Sequence, residues 1–438
     1  MINLDFTIDM SRRRTPSREP AQAATPEYVS AAEATRLLRI KPQTLYTYVS
    51  RGLVRSVGQL GDKRRLYHRE DIQNARARGL ARRGHGAAAE GAMRWGGQPV
   101  IDTAITEITP EGPRYRGRLA LDLARAGTSF ESAAELLWTG VLQHAPQRWQ
   151  HGALPSGFAA RLDSATRAGP ALPILHRFAL AAGLLGAGAT VRGEIGRGYT
   201  LSAGRDLVLV LAGCLGYLAR RPAFRTPPDE TGVAEFAART LLARPSAQAI
   251  GAIDRALVLS ADHELSSSTF AARVAASTGV ELRACVQAAL LTHSGATLGG
   301  GCDIAEDLLH DASTRADVRQ RLATAEKAGQ RIPGFNLPLY PQGDPRARYL
   351  LELARALESR SPRARTIFAF IEEAEERLEL RPSIEVGLVA LAAALGLPER
   401  SAGALWALGR SAGWIAHVVE QRFAGFVLRP RARYGGGA

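Results

Sequence analysis

Cysteine is close to missing from this chain: its 438 residues hold three, Cys214, Cys285 and Cys302. They are odd in number and far apart, with no CxxC spacing and no histidine at metal-ligand intervals, so neither a disulfide framework nor a metal site is expected. Lysine is as scarce, with Lys41, Lys63 and Lys327 alone, so 53 of the 56 cations are arginine. A bias of that kind partly reflects genome composition, and arginine number by itself argues nothing. Apolar runs are short: the longest, residues 207–218 and 386–398, end well before the ~20 residues that cross a bilayer and read as buried core helices. Nucleotide loops of the GxGxxG or GxxxxGK[ST] kind are absent. At the N-terminus Arg12-Arg13-Arg14 runs into a polar, proline-bearing stretch rather than an apolar one, so no secretory or twin-arginine signal is read and the cytoplasm is the expected location.

What is present excludes a disordered or fibrous whole: 46% apolar residues on this length can build a core for two or three domains. The formal charge of +14 invites an anionic partner, but it is unevenly placed. Residues 1–95 carry +9 and the remaining 343 only +5.

Residues 1–26, rich in Pro, Ser, Thr and Arg without a period, read as a disordered tail. Ser30-Ala-Ala-Glu33 is a capping box that opens a helix through Leu38, and Pro42 opens a second with Leu45, Tyr48 and Val49 on one face, stopped by Gly52. Residues 54–67 read as two short strands around a Gly-Asp turn, followed by a helix start at Arg69. Residues 75–98, rich in Arg, Ala and Gly, are a linker. From 99 to 438, after a hairpin closed on Pro110-Glu-Gly112, the pattern is Ala/Leu-rich and helical. The Gly clusters at 183–198 and 299–301 read as sites of close helix approach.

The segment 27–74 resembles a MerR-type or excisionase-type winged helix-turn-helix. The resemblance puts Lys41, Gln43, Thr44, Thr47 and Arg51 on the polar face of a recognition helix and Lys63, Arg64 and Arg65 on the wing, with Tyr46 and Tyr67 flanking a nucleic-acid backbone. The alternative is a retained protein-interaction or packing module.

A series of later segments, in order, resembles the citrate synthase family: Tyr115-Arg-Gly117 with residues 119–140; Ala261-Asp-His-Glu264 with Ser267-Ser-Thr269; residues 295–303; residues 334–346; Pro382-Ser-Ile-Glu385; residues 409–421; and residues 428–434. The implied fold is all-α, with large and small helical domains, the small one at about 299–392. The implied assembly is a homodimer, with a heteromer beside an active paralogue as the other arrangement. The implied chemistry joins an acyl-CoA, such as acetyl-CoA, to oxaloacetate with no bound cofactor. That chemistry needs a base for an α-proton, donors for the enolate and the ketone, and cations for two carboxylates.

Carried over by position, the carboxylate-binding set is His263, Arg346, Arg410 and Arg429, the last reaching across a dimer interface. Arginine suits the task because its planar fork pairs with carboxylates bidentately. The base position holds Glu385, one methylene longer than the family's Asp, and the two histidine donor positions hold Leu298 and Leu337, which have no donor. A divergent, catalytically impaired member is therefore expected. The alternative is a DNA-binding transcriptional regulator that senses a dicarboxylate or acyl-CoA. Other roles stay open for single residues: structural ion pairs for Arg346 and Arg410, a loop hydrogen bond for His263, an apolar patch for Leu298 and Leu337. His293 precedes Leu298 by five residues; on a continuous helix that is about 500°, about 140° off the required face. The remaining histidines show no clustering.

Overall fold

The computed structural model describes residues 28–38, 40–50, 54–58, 65–69, 71–72, 101–143, 147–150, 152–167, 172–196, 198, 200–310, 314–327, 332–357 and 361–429. The expected tail and linker, and with them Arg51, Gly52, Lys63 and Arg64, lie outside these residues.

The N-terminal segment contains β1 (Tyr28–Ser30), α1 (Ala31–Leu38), α2 (Pro42–Ser50), β2 (Ser56–Gly58) and β3 (Arg65–His68). The strands form one antiparallel sheet in the order β1-β3-β2. One half of the capping box is in place: the Glu33 amide donates to Ser30 Oγ at 3.2 Å, while the Glu33 carboxylate accepts from Arg69 NH2 at 2.7 Å. Val29, Ala34, Leu45, Val54, Tyr67 and Ile72 make a core of its own. Strand β1 was not read from sequence. Three residues carry no period; what makes them a strand is the pairing of Val29 with Tyr67.

The segment leans on the helical body. Tyr28 Oη donates to the Gly140 carbonyl at 3.5 Å. A side chain at Gly140 would meet Arg55 and His68 at 3.0 and 3.3 Å. Arg55 is held by a fork onto Asp71, both contacts at 2.7 Å.

The body opens with the expected hairpin, β4 (Thr106–Thr109) and β5 (Gly112–Tyr115), widened by β6 (Arg118–Leu119). Helices follow: α3 (Ala120–Arg125), α4 (Phe130–Thr139), α5 (Phe158–Arg167), α6 (Ile174–Gly186), α7 (Val191–Gly196) and α8 (Thr200–Cys214), which runs into a 3₁₀ turn at Leu215–Leu218. Next come α9 (Val233–Leu241), α10 (Ala247–Ser260), α11 (Ser267–Ser277), α12 (Leu282–His293), α13 (Gly300–His310) and α14 (Arg315–Lys327). The last four are α15 (Pro345–Leu357), α16 (Pro362–Leu378), α17 (Ile384–Ala394) and α18 (Ser401–Ala424). The stretch Thr200–Leu218 is long and apolar enough to span a bilayer by length, and 72% of it is buried in the fold, as a core helix is.

Helix α18 is the axis. It packs against α4, α8, α10, α11, α12 and α17, and Ser401 through Val418 are buried without a break. A helix buried all round needs small residues where neighbours cross it closely. Gly409 and Gly413 supply this: a Cβ would come within 2.7 Å of Ser260 at the first, and within 2.2 Å of Asp262 Oδ1 at the second. The same device operates between α6 and α12, where side chains at Gly183 and Gly186 would strike Gln287 and Glu281 at 2.6 Å.

Gly413→Ala forces α18 away from the loop after α10, and overpacking of this kind costs about 1–3 kcal/mol. The urea midpoint should fall accordingly, whereas the exposed control Gly127→Ala, strained only through its φ of +72°, should cost less; equal midpoints would contradict the close approach.

Candidate active site

The loop Ala261–Ser266 joins α10 to α11 and carries His263. It is stitched to the body at several points. Tyr115, on β5 and buried, takes the Asp262 amide on its hydroxyl at 3.2 Å and lies 3.0 Å from the Val258 carbonyl. Burial raises its pKa above the phenol range. Asp262 Oδ2 meets His417 Nε2 at 3.3 Å and accepts from the Glu264 amide at 3.1 Å. The Gly413 amide donates to the Ala261 carbonyl at 2.9 Å.

A second loop, residues 334–344, precedes α15. It is pinned to the strand-like residues before α17: the Asn336 amide donates to the Arg381 carbonyl at 2.8 Å, Asn336 Oδ1 accepts from the Arg381 amide at 2.7 Å, and the Ser383 amide donates to the Gly334 carbonyl at 2.8 Å. Gly334, at φ +82°, has no room for a side chain, since a Cβ would lie 2.6 Å from Val386. The loop holding Leu337 and the residues that lead into the helix of Glu385 are thus one unit.

Three of the expected binding residues are brought together. His263 Nε2 lies 3.0 Å from Tyr340 Oη. Arg346, at the start of α15, forks onto Asp344 through Nε at 3.0 Å and NH2 at 2.7 Å, both residues buried. Its NH1 has no hydrogen-bond partner among the described residues. Arg410, in the middle of α18, donates from Nε to the Ser260 carbonyl at 3.1 Å and from NH1 to Ser266 Oγ at 3.5 Å. These groups feel one another. Burial first, then the Arg346 and Arg410 guanidinium groups, holds His263 well below the usual imidazole range. Burial also lowers Arg410, with Arg346 adding to it against the pull of Asp262.

Glu385 sits in the first turn of α17, half-buried. Its carboxylate acts on Arg410, and on Cys302 at the start of α13, whose thiol is raised far above its usual range chiefly by burial. A helix N-terminus favours a carboxylate there. Leu298 and Leu337 are half-buried in their loops. Arg429 stands apart, exposed on the C-terminal segment beside the end of α11, where the Leu428 amide donates to Ser277 Oγ at 3.1 Å.

Sequence reasoning missed Asp344, Tyr340, Ser260 and Ser266 as partners of the cationic groups, although Asp344 and Tyr340 stand in the quoted motif. It also mistook the setting of His293. Helix α12 ends at His293 and a turn over 294–299 intervenes before α13, so the continuous-helix geometry does not apply. His293 is 1% exposed, edge-on to Trp406 at 4.8 Å and to Trp414 at 5.4 Å. Neither ring nitrogen has a hydrogen-bond partner among the described residues, and burial, with Arg410 nearby, brings its pKa down to about 3.

Of the expected nucleic-acid residues, Lys41, Gln43 and Arg65 are exposed, as is Tyr46, Thr44 and Thr47 are half-buried, and Tyr67, expected to flank a backbone, is instead buried in the segment's own core. Thr47 donates to the Gln43 carbonyl at 3.0 Å, and Arg65 NH1 donates to Ser56 Oγ at 3.3 Å.

Residues 94–431 match the family model described as citrate synthase, C-terminal domain. Citrate synthase 2 of Bacillus subtilis is 28% identical over 214 residues, 48% of this chain and 58% of that protein. A citrate synthase of Saccharolobus solfataricus is 28% identical over 342 residues, 74% and 89% respectively. A 2-methylcitrate synthase of Shewanella oneidensis is 31% identical over 195 residues, 44% and 52%. The chain thus spans about half the length of several curated relatives and most of one. Among solved structures, the ternary complex of carboxymethyl coenzyme A and oxaloacetate with the Thermoplasma acidophilum citrate synthase matches with a TM-score of 0.68 at 22% identity, over 80% of this chain and 96% of that one. The Thermotoga maritima citrate synthase matches at 0.65 and 22%, over 78% and 94%.

The folded chain keeps His293 neutral down to about pH 3, whereas the unfolded chain protonates it near 6.5. Unfolding therefore takes up a proton in that window. Its contribution is full above about pH 6.5 and is lost as pH falls, by about 2 kcal/mol between 6.5 and 5. In His293→Phe, urea midpoints at pH 7 and pH 5 should lie closer together than in the parent; an unchanged gap would contradict a neutral, buried imidazole.

Proposed function

The chain belongs to the citrate synthase family, and from that premise we propose that its helical body binds an oxaloacetate-like keto dicarboxylate beside an acyl-CoA but condenses them slowly. The observation that carries this reading is the pair of buried arginines, Arg346 and Arg410, facing His263 without a histidine at either Leu298 or Leu337.

The binding half follows from charge. Arg346 spends one edge of its guanidinium on Asp344, and its NH1 has no hydrogen-bond partner among the described residues. Among those residues Arg410 donates through Nε and through one long NH1 contact. A dianion would satisfy both and relieve their mutual repulsion. His263, kept neutral, can donate one hydrogen bond to a ligand oxygen without adding charge. Glu385 at its helix N-terminus is the base for the acyl α-proton.

The slow half follows from the leucines. An enolate forming on the acyl thioester and a ketone awaiting attack each need a donor, and one lost donor of this type costs ~10²–10³ in rate. Arg429 would join the ligand only if a second copy supplied it, as a homodimer allows. The acyl-chain length and the choice between citrate-like and 2-methylcitrate-like products are left to assay.

The test is release of free CoA from acetyl-CoA or propionyl-CoA with oxaloacetate. Ordinary enzymes turn over at ~10 s⁻¹, and this chain should be at least about 10³-fold slower; turnover of tens per second would overturn the reading. Leu298→His with Leu337→His should raise the rate at least about tenfold. Oxaloacetate should raise the melting temperature of the parent but not of Arg410→Lys, which keeps the charge and loses the fork.

A second reading concerns the N-terminal segment. We propose that its strand–helix–helix–strand–strand order is a winged helix-turn-helix, favoured by the exposure of Lys41, Gln43, Tyr46 and Arg65. A labelled promoter duplex should bind with a salt-dependent affinity that Lys41→Ala with Arg65→Ala weakens. Equal affinity for every sequence would reduce this to nonspecific electrostatics.

A further inference from the structure

Three hydrogen-bonding atoms meet at the face of α18 that carries Arg410, buried and without a partner among the described residues. They are both ring nitrogens of His293, 1% exposed, and Nε1 of Trp406, 5% exposed. Buried polar atoms are nearly always paired, so a group of them points to an oxygen that the chain itself does not supply. With its pKa brought down to about 3, the imidazole is neutral and carries one N–H.

The turn after α12 folds this ring back to the position that lacks a donor. The Leu298 amide donates to the Gly295 carbonyl at 3.0 Å, and the Gly301 amide to the Leu298 carbonyl at 2.7 Å. A Cβ on Gly299 would lie 2.5 Å from both Nε2 and Cδ2 of His293. The imidazole thus fills the space of a side chain at the residue next to Leu298. Trp406 and Trp414 hold it edge-on from α18, and Arg410 stands between them in sequence, its guanidinium 6.0 Å from the Trp406 ring. Cys302, whose amide donates to the Gly299 carbonyl at 3.1 Å, feels the Glu385 carboxylate, as Arg410 does. Imidazole, base and carboxylate-binding arginine are therefore gathered about the start of α13.

Resting on the keto-acid and acyl-CoA reading above, we infer that His293 donates the hydrogen bond to the acyl thioester oxygen that a histidine at position 298 would have donated. As the α C–H bond breaks, its proton passes to the Glu385 carboxylate and its electron pair onto the thioester oxygen, which accepts from the His293 N–H as charge builds. Position 337 stays without a donor for the ketone, so condensation remains slow.

Release of CoA from acetyl-CoA with oxaloacetate is measured in the full chain and in His293→Phe and His293→Leu, two donor-free variants of different shape whose circular dichroism matches the parent. Each should lower kcat at least about tenfold and leave KM for oxaloacetate within about threefold. His293→Gln, which keeps an amide N–H near the Nε2 position, should regain at least about threefold of that loss. In a Leu298→His background, where another donor serves the same oxygen, His293→Phe should cost less than about threefold, whereas a ring that only packs would cost the same in both backgrounds. The role of His293 is overturned by parent-like kcat in the donor-free variants, by a loss confined to KM, by a Gln variant no faster than Phe, by equal losses in the two backgrounds, or by a parent that releases no CoA above the uncatalysed rate. A parent turning over at tens per second overturns the slow reading alone, since the role of His293 rests on the ratio of parent to variant.

Discussion

Burying two guanidinium groups in one place is the demand around which the body is organised. Arg346 and Arg410 are 1% and 3% exposed, and in a poorly polarisable interior each raises the cost of the other's charge. The fold answers with specific oxygen atoms: both carboxylate oxygens of Asp344 for Arg346, the Ser260 carbonyl and Ser266 hydroxyl for Arg410, and the fields of Asp262 and Glu385. Removing one member of such a pair leaves a charge stranded and typically costs about 3–5 kcal/mol. That penalty explains why four separate pieces of chain, the loops at 261–266 and 334–344, the approach to α17, and α18, are cross-bonded rather than merely adjacent.

The neutrality of His263 follows in part from the same demand. Burial first, and then the repulsion of a third positive charge by the two arginines, holds its pKa well below that of a free imidazole. His293 is neutral chiefly because it is buried between two indoles, with Arg410 adding to the effect and no hydrogen-bond partner for either ring nitrogen among the described residues. The first is partly an electrostatic consequence of the site; the second is chiefly a packing consequence of α18, on which Trp406, Arg410 and Trp414 follow at intervals of four and share a face.

The local devices could be read from the chain alone because each is closed within a few residues. The Ser30 cap on the Glu33 amide and the hairpin on Pro110-Glu-Gly112 are of this kind, and the apolar runs that became core helices were legible from their length. The buried arginines were legible through their motifs. What was not legible depends on partners far away in sequence. Asp262 meets His417 across 155 positions, Arg410 reaches Ser260 across 150, and His293 meets Trp406 from another helix. The misreading of His293 had a definite cause: a helical period was carried through residues 294–299, where the chain turns instead.

The two halves of the chain share α18, and its packing limits how they can be arranged. At Gly409 and Gly413 the helix lies so close to the end of α10 and the loop after it that no methyl group fits, and the Gly413 amide is bonded to the Ala261 carbonyl. The helix cannot slide or roll there without breaking that bond and pressing on Asp262, one residue from His263. Its far end, Val419 to Phe423, lines an open cleft together with Val49 of α2 and Ser56 of β2. Small displacements in a close-packed interior are resisted rather than absorbed. The surface that the N-terminal segment leans on is therefore continuous with the packed body around this helix, and the contacts at Gly413 that hold Arg410 in place also keep that helix from shifting beneath it.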